Sequence, residues 1–381
     1  MKTIRPFILA LLLVAAPAAV QAQGDFDYTT NADGVSLTIT GGYAGYPYFG
    51  YPHSVTGFTL AIPTNINGLL VTGIAEWAFY DSPYVTIVTI PAGVTSIGEY
   101  AFGVCISLTA IIVDAQNSHY SSTNGVLFDK NQSRLIQFPG GVSGSYTIPD
   151  SVTSIAEDAF STCTTLTNVT IPGSVTNIEE YAFFGTGLTN VAIPNGVTSI
   201  GADAFQECYG LTHVSIAGSV TNIGQGAFYY CFGLASVTIG NGLTSIGQSA
   251  FFCCTHLTAI WFAGNAPACG WWAFSGDTNA TAYYLPGTTG WSSFSVNTGV
   301  STVLWNPLIQ VGGSNFGVQG NQFGFNITGT TNIPIVVEAC TDLVNPVWVP
   351  LQTNALTNGS FYFSEPLQTN SPGRFYRISS P

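Results

Sequence analysis

Leu188 to Gly210 reads LTNVAIPNGVTSIGADAFQECYG, and Leu211 to Gly233 reads LTHVSIAGSVTNIGQGAFYYCFG. The two stretches share Leu-Thr, a Val and an Ile two residues apart, a Val-Thr-x-Ile-Gly segment, and Ala-Phe with a cysteine three residues on. Across the chain Ala-Phe ends at Phe79, Phe102, Phe160, Phe183, Phe205, Phe228, Phe251 and Phe274, at intervals of 23, 58, 23, 22, 23, 23 and 23 residues. A short unit recurring at fixed spacing builds a stack in which each unit touches only its neighbours.

One unit can be read physically. In L-T-x-V-x-I-P, Leu, Val and Ile can point inward along a strand while Thr and the variable residues point outward. Pro ends the strand, because it cannot donate to a ladder. V-T-S-I-G is a second short β piece, and A-F-x-x-C is a tight connection. A single coil cannot bury its apolar face, so the core forms between coils whose strands pair at ~4.8 Å. The pattern of IP, V-x-x-I-G, A-F-x-x-C and L-x-x-I-x-I-P resembles the BspA-like leucine-rich repeat family over residues 58 to about 279. That resemblance implies a mainly β fold, a right-handed solenoid of ~23-residue units. It also implies a secreted or surface-attached protein, since known members are mostly adhesins or proteins without an assigned ligand.

The interval of 58 residues holds an insertion, about residues 113–145, plus an ordinary repeat. Within it GVLFD and SRLIQF flank Lys130-Asn131-Gln132, which reads as a hairpin or a degenerate extra coil. Residues 23–57 include GGYAGYPYFGYPH, either a cap on the first coil or a sugar-stacking loop. Residues 280–304 read as the opposite cap. From residue 305 onward, alternating segments bounded by turn residues predict a small β-sandwich. Its last ~70 residues resemble C-terminal sorting or attachment modules of proteins exported by Gram-negative bacteria.

Residues 1–22 carry Lys2 and Arg5, then an apolar run from Phe7 to Ala16, then small residues ending at Ala22. This is the pattern of a cleaved secretory leader, and no later segment is long and apolar enough to span a membrane. Without the leader, four basic residues remain (Lys130, Arg134, Arg374 and Arg377) against 19 acidic ones, a formal charge of −15. Nucleic acid and anionic membranes are excluded as partners, because each needs clustered Lys and Arg. Charged residues make up only 7% of the chain, so hydroxyls, amides and glycine must cover its surface.

Aligned on phenylalanine, the position three residues later holds Ser82, Cys105, Cys163, Thr186, Cys208, Cys231, Cys254 and Asp277. The slot takes small side chains, so Cys is read there as a small buried hydrophobe. A disulfide within the column stays open in an exported chain. Cys253 and His256 have no counterparts in other units. A metal site is not expected, since zinc wants closely spaced ligand pairs converging on one point. Glu76, Glu99, Glu157 and Glu180 recur two residues before Ala-Phe, and Asp158 and Asp203 one residue later. This ridge is either a solvated surface or a weak calcium candidate.

No catalytic constellation emerges. The four histidines fall in unrelated contexts, and neither G-x-S-x-G nor H-E-x-x-H occurs. A glycosidase would need two acids facing each other across a cleft, whereas the ridge acids are expected on a convex turn. The reading is therefore an exported, non-enzymatic protein without cofactor, which recognises protein or glycan on a cell or matrix surface. A structural surface-layer or matrix component is the alternative, and a polysaccharide-active enzyme the more distant one. The expected binding face is the outward strand position holding Ile112, Thr170, Ala192, Ser215, Thr238 and Trp261, grading into Trp271 and Trp272.

Overall fold

The computed structural model of the chain describes residues 26–42, 57–367 and 373–380. Residues 1–22, read as a leader, and most of the aromatic stretch read as a cap or sugar-stacking loop lie outside them. The chain forms two compact units, Met1–Lys130 and Asn131–Pro381.

In the first unit, Phe58–Ala61, Val85–Ile90 and Ala110–Val113 pair in parallel, with Val88 between Leu60 and Ile111. Phe26–Thr30 and Ser36–Gly42 form an antiparallel pair whose second strand runs parallel to Leu69–Ile74. The insertion begins with a hairpin of Tyr120–Thr123 and Val126–Asp129. Its turn is Asn124-Gly125, with φ of 52° and 81°. Two left-handed residues make the twist-matched hairpin turn that Asn-Gly favours.

The second unit contains most of the coils. Asn190–Ile193, His213–Ile216, Ser236–Ile239, Ala259–Phe262, Thr281–Tyr284 and Ser301–Leu304 form one parallel sheet. Equivalent residues pair without slippage, so Val191, Val214, Val237 and Ile260 face the same core. A second parallel sheet consists of two-residue strands: Ser154–Ile155, Asn177–Ile178, Ser199–Ile200, Asn222–Ile223, Ser245–Ile246 and Ala268–Cys269. Arg134–Gln137 pairs parallel to Ser154–Ile155, so the later part of the insertion joins the short-strand sheet.

Between the sheets runs a stack of phenylalanines. Phe138, Phe160, Phe183, Phe205, Phe228, Phe251 and Phe274 follow one another with ring centroids 4.8–5.3 Å apart. All seven are buried. Offset stacking at this distance adds to the area each ring buries. The backbone around each phenylalanine forms a third ladder. The N–H of Phe228 donates to Ala250 O, that of Gly226 to Gln248 O and that of Tyr230 to Phe252 O, and other coils repeat the set. The residues two before and two after each Ala-Phe phenylalanine are left-handed, including Tyr181, Asp203, Ser249, Thr162, Glu207 and Tyr230. That alternation turns successive N–H groups along the stack, and inter-coil hydrogen bonds offset its local cost.

Two further features follow from coil spacing. Thr Oγ1 donates to the carbonyl one coil back at Thr198, Thr221 and Thr244, and again at Thr189, Thr212 and Thr258. A surface poor in charge is thereby tied together by hydroxyl ladders. The Gly that closes V-T-x-I-G is fixed by close approach: a Cβ on Gly224 would sit 2.6 Å from Gly201 backbone atoms, and one on Gly247 2.5 Å from Gln225 N.

The last coils are closed by the helix Trp291–Thr298, which buries Trp291 and Phe294. Trp291 packs on Phe262 and Tyr284, and Phe294 on Phe274. Beyond it, Leu308–Gln310, Gly317–Gln319, Gln322–Thr328 and Ser360–Pro366 make one antiparallel sheet, and Pro334–Cys340, Val349–Ala355 and Phe375–Ser379 another. Phe325, Ile327 and Phe363 of the first share a core with Ile335 and Val337 of the second. Tyr283, Val303 and Trp305 pack against that core, so this module sits on the strand face of the last coils.

Candidate binding surface

The outward strand positions are in register as the repeat predicts: Ala192, Ser215, Thr238, Trp261, Tyr283 and Val303 pair in sequence. Their exposure falls along the row. Thr170, one coil earlier, and Ala192 are exposed, while Ser215 and Thr238 are half-buried. Trp261, expected as the aromatic end of an open strip, is only 6% exposed, which corrects that expectation. Its ring stacks on Tyr283 at 4.2 Å and meets Trp305 edge-on at 5.8 Å. Trp305 Nε1 in turn donates to Pro334 O of the C-terminal module. The module covers this end of the strip, and Trp261 belongs to the covered region. A cavity of about 290 Å³ remains there, lined by Thr238, Trp261, Tyr283, Trp305, Ile378 and Ser379 among others.

The cysteine column consists of free thiols. Cys208, Cys231 and Cys254 each donate Sγ–H to the phenylalanine carbonyl one coil back, at 3.1–3.2 Å: Phe183, Phe205 and Phe228. Cys105 does the same to Phe79 O at 3.3 Å. Burial pushes these thiols up, Cys208 to about 11, so they stay protonated and able to donate at neutral pH. Alkylation of the native protein should therefore leave Cys208, Cys231 and Cys254 unlabelled, and alkylation after denaturation should label all three. Mass spectrometry that found any two linked would overturn this arrangement. His256 is exposed and donates through Nδ1 to Phe232 O at 2.6 Å. Cys253 is half-buried, with its own pKa raised by burial.

The turn face is different. Trp271 is 80% exposed and Trp272 61%, on the last Ala-Phe turn. Trp272 has φ of 59°, the conformation the repeat imposes at that column, where Ser249 stands one coil earlier. Sequence reasoning missed a second aromatic group there. Tyr209 stacks on Phe232 (5.6 Å), Phe232 on Tyr230 (5.3 Å), Tyr230 contacts Tyr229 (4.1 Å), and Tyr229 stacks on Phe252 (5.1 Å). The signal was available: aromatic residues recur one, two or four places after the phenylalanine in adjacent units.

Among the ridge acids, Asp158 is buried, with its carboxyl pushed up to about 7 by that burial. Glu76 accepts from Trp77 Nε1. Among the described residues no three His, Cys, Asp or Glu side chains are grouped to hold a metal ion. No helix among the described residues is long and apolar enough to cross a membrane.

The chain matches the family model of the BspA type leucine rich repeat region in six copies, over residues 60–144, 143–258 and 176–298. No curated protein matches it. Among solved structures, a leucine-rich repeat protein of Eubacterium ventriosum is similar at 19% identity and a TM-score of 0.49, over 66% of this chain and 93% of that one. A leucine rich cell surface protein of Faecalibacterium prausnitzii is similar at 25% identity and 0.37, over 74% and 93%. The leucine rich repeat protein of T. pallidum is similar at 25% and 0.33, over 61% and 87%.

Proposed function

We propose that this chain, which belongs to the BspA type leucine-rich repeat family, is an exported, non-catalytic recognition protein that adheres to a cell or matrix surface through its solenoid. The observation that carries the reading is the solvent exposure of Trp271 and Trp272, 80% and 61%. Large aromatics left open on an ordered turn are the residues on which interface energy concentrates. Export is supported by the leader-like residues 1–22. A surface of ladder-bound hydroxyls with few charges suits many weak contacts.

Replacing both Trp271 and Trp272 with Ala should weaken adhesion to cells or matrix about tenfold or more, the scale of losing one aromatic anchor. The melting temperature should stay within about 2 °C, as expected for exposed positions. Cell or matrix binding unchanged in the double variant would remove this face from recognition and favour the structural-component reading.

A further inference from the structure

We infer that the turn face of the coils between residues 205 and 254 docks a polypeptide segment presenting arginine side chains, with Glu207 as its charged centre. The inference rests on the recognition reading above and names its partner's chemistry. Glu207 lies within the aromatic run: Tyr209 Oη donates to its carboxylate at 2.7 Å. Tyr209 is 53% exposed and Phe232 40%, while Tyr229, Tyr230 and Phe252 are half-buried. The rings continue one another from coil to coil, so the patch is built by the repeat and held by its core.

Charge complementarity selects the occupant. The second unit's three arginines are each committed elsewhere, Arg134 to Glu179, Arg374 to Glu365 and Arg377 to Glu338. His256, at the patch edge, spends Nδ1 on Phe232 O. Among the described residues no Lys or Arg pairs with Glu207, and the chain carries a large negative charge. An anionic partner would be repelled. A guanidinium answers both parts of the patch, since it stacks on tyrosine and phenylalanine and forms charge-assisted hydrogen bonds to a carboxylate. Lysine satisfies the charge but not the planar stacking.

The test uses the full chain and a fluorescent heptapeptide of alternating arginine and glycine, read by anisotropy. Serine–glycine and lysine–glycine peptides and cellohexaose serve as comparators. The arginine peptide should bind most tightly, and raising salt from 50 to 500 mM should weaken it severalfold, because the contacts are exposed. Glu207→Gln and the double variant Tyr209→Ala/Phe232→Ala should each weaken it about tenfold, the scale of one charge-assisted or cation–π anchor. Equal binding by wild type and Glu207→Gln overturns the proposal. So does binding of cellohexaose alone, lost in the Tyr209/Phe232 variant, which would make the patch a glycan platform. No peptide binding beside tryptophan-dependent adhesion would sink this inference and leave the recognition reading standing. A melting temperature within about 2 °C of wild type confirms that each variant is folded.

Discussion

Phe228→Ala should lower the unfolding free energy by ~3–5 kcal/mol, the range for emptying a fully buried aromatic site. Phe228 is completely buried, with Phe205 at 5.3 Å on one side and Phe251 at 5.1 Å on the other. The rings lie nearly parallel, at 5° and 7°. Removing the middle ring leaves a gap that neither neighbour can close. Phe205 N is bonded to Ala227 O and Phe228 N to Ala250 O, so the backbone is pinned to adjacent coils at the spacing the rings require. Stacking lost on both faces adds to the transfer term. Urea titration measures the effect; a loss below about 1 kcal/mol would show that the stack is not a main support of the coils. In a chain of stacked units the damage should spread, because each coil depends on its neighbours for a buried face.

The same column shows what could be read from the amino acids and what could not. Six of its seven members announce themselves through Ala-Phe. Phe138 does not, because Gln137 stands where Ala belongs. In the structure Gln137 is buried and satisfied, its Nε2 donating to Phe138 O and Ala159 O. Phe138 N bonds Ala159 O as in other coils. A polar residue was tolerated because its hydrogen bonds close locally, and that erased the motif without erasing the coil. The left-handed turn positions were equally silent. Tyr181, Asp203, Glu207 and Tyr230 carry a conformation that usually calls for glycine,, and inter-coil bonding, invisible to local propensity, imposes it.

The binding face was legible in part for a related reason. Register followed from the period, so Ser215, Thr238 and Trp261 do lie in one row. Exposure did not follow, because the residues that cover Trp261 lie far along the chain, at Trp305 and Ile378. A repeat determines which way a side chain points, whereas a module beyond the repeat determines whether solvent reaches it. Trp271 and Trp272 escaped that covering because they lie on the turn and not on the strand face.

Asp277 is expected to make the protein lose stability as pH rises from about 4 to about 8. It occupies the cysteine column, where Cys208, Cys231 and Cys254 each donate to a phenylalanine carbonyl. The slot therefore wants a donor, and an ionised carboxylate has none. Asp277 is 5% exposed, and neither carboxylate oxygen has a partner among the described residues. Burial pushes its pKa up to about 8 from an ordinary 3.8. Between those values the folded chain holds a proton that the unfolded chain has released. The stability is thus fully present below about pH 4 and is lost as pH climbs through the folded value. Asp158, raised by burial to about 7, acts in the same direction. At roughly 1.4 kcal/mol per pKa unit, Asp277 alone is bounded near 6 kcal/mol, and relaxation and water entry bring the expected loss to about 3. Asp277→Asn keeps the shape and supplies an N–H, so it should be more stable than wild type at pH 8 and should flatten most of the decline; Asp277→Cys, which restores the column residue, should do the same. Urea midpoints measured from pH 4 to 9 decide the matter. Parallel curves for wild type and Asp277→Asn would mean that the carboxyl is ionised and solvated in the folded chain, and the column would then owe nothing to a donor at this coil.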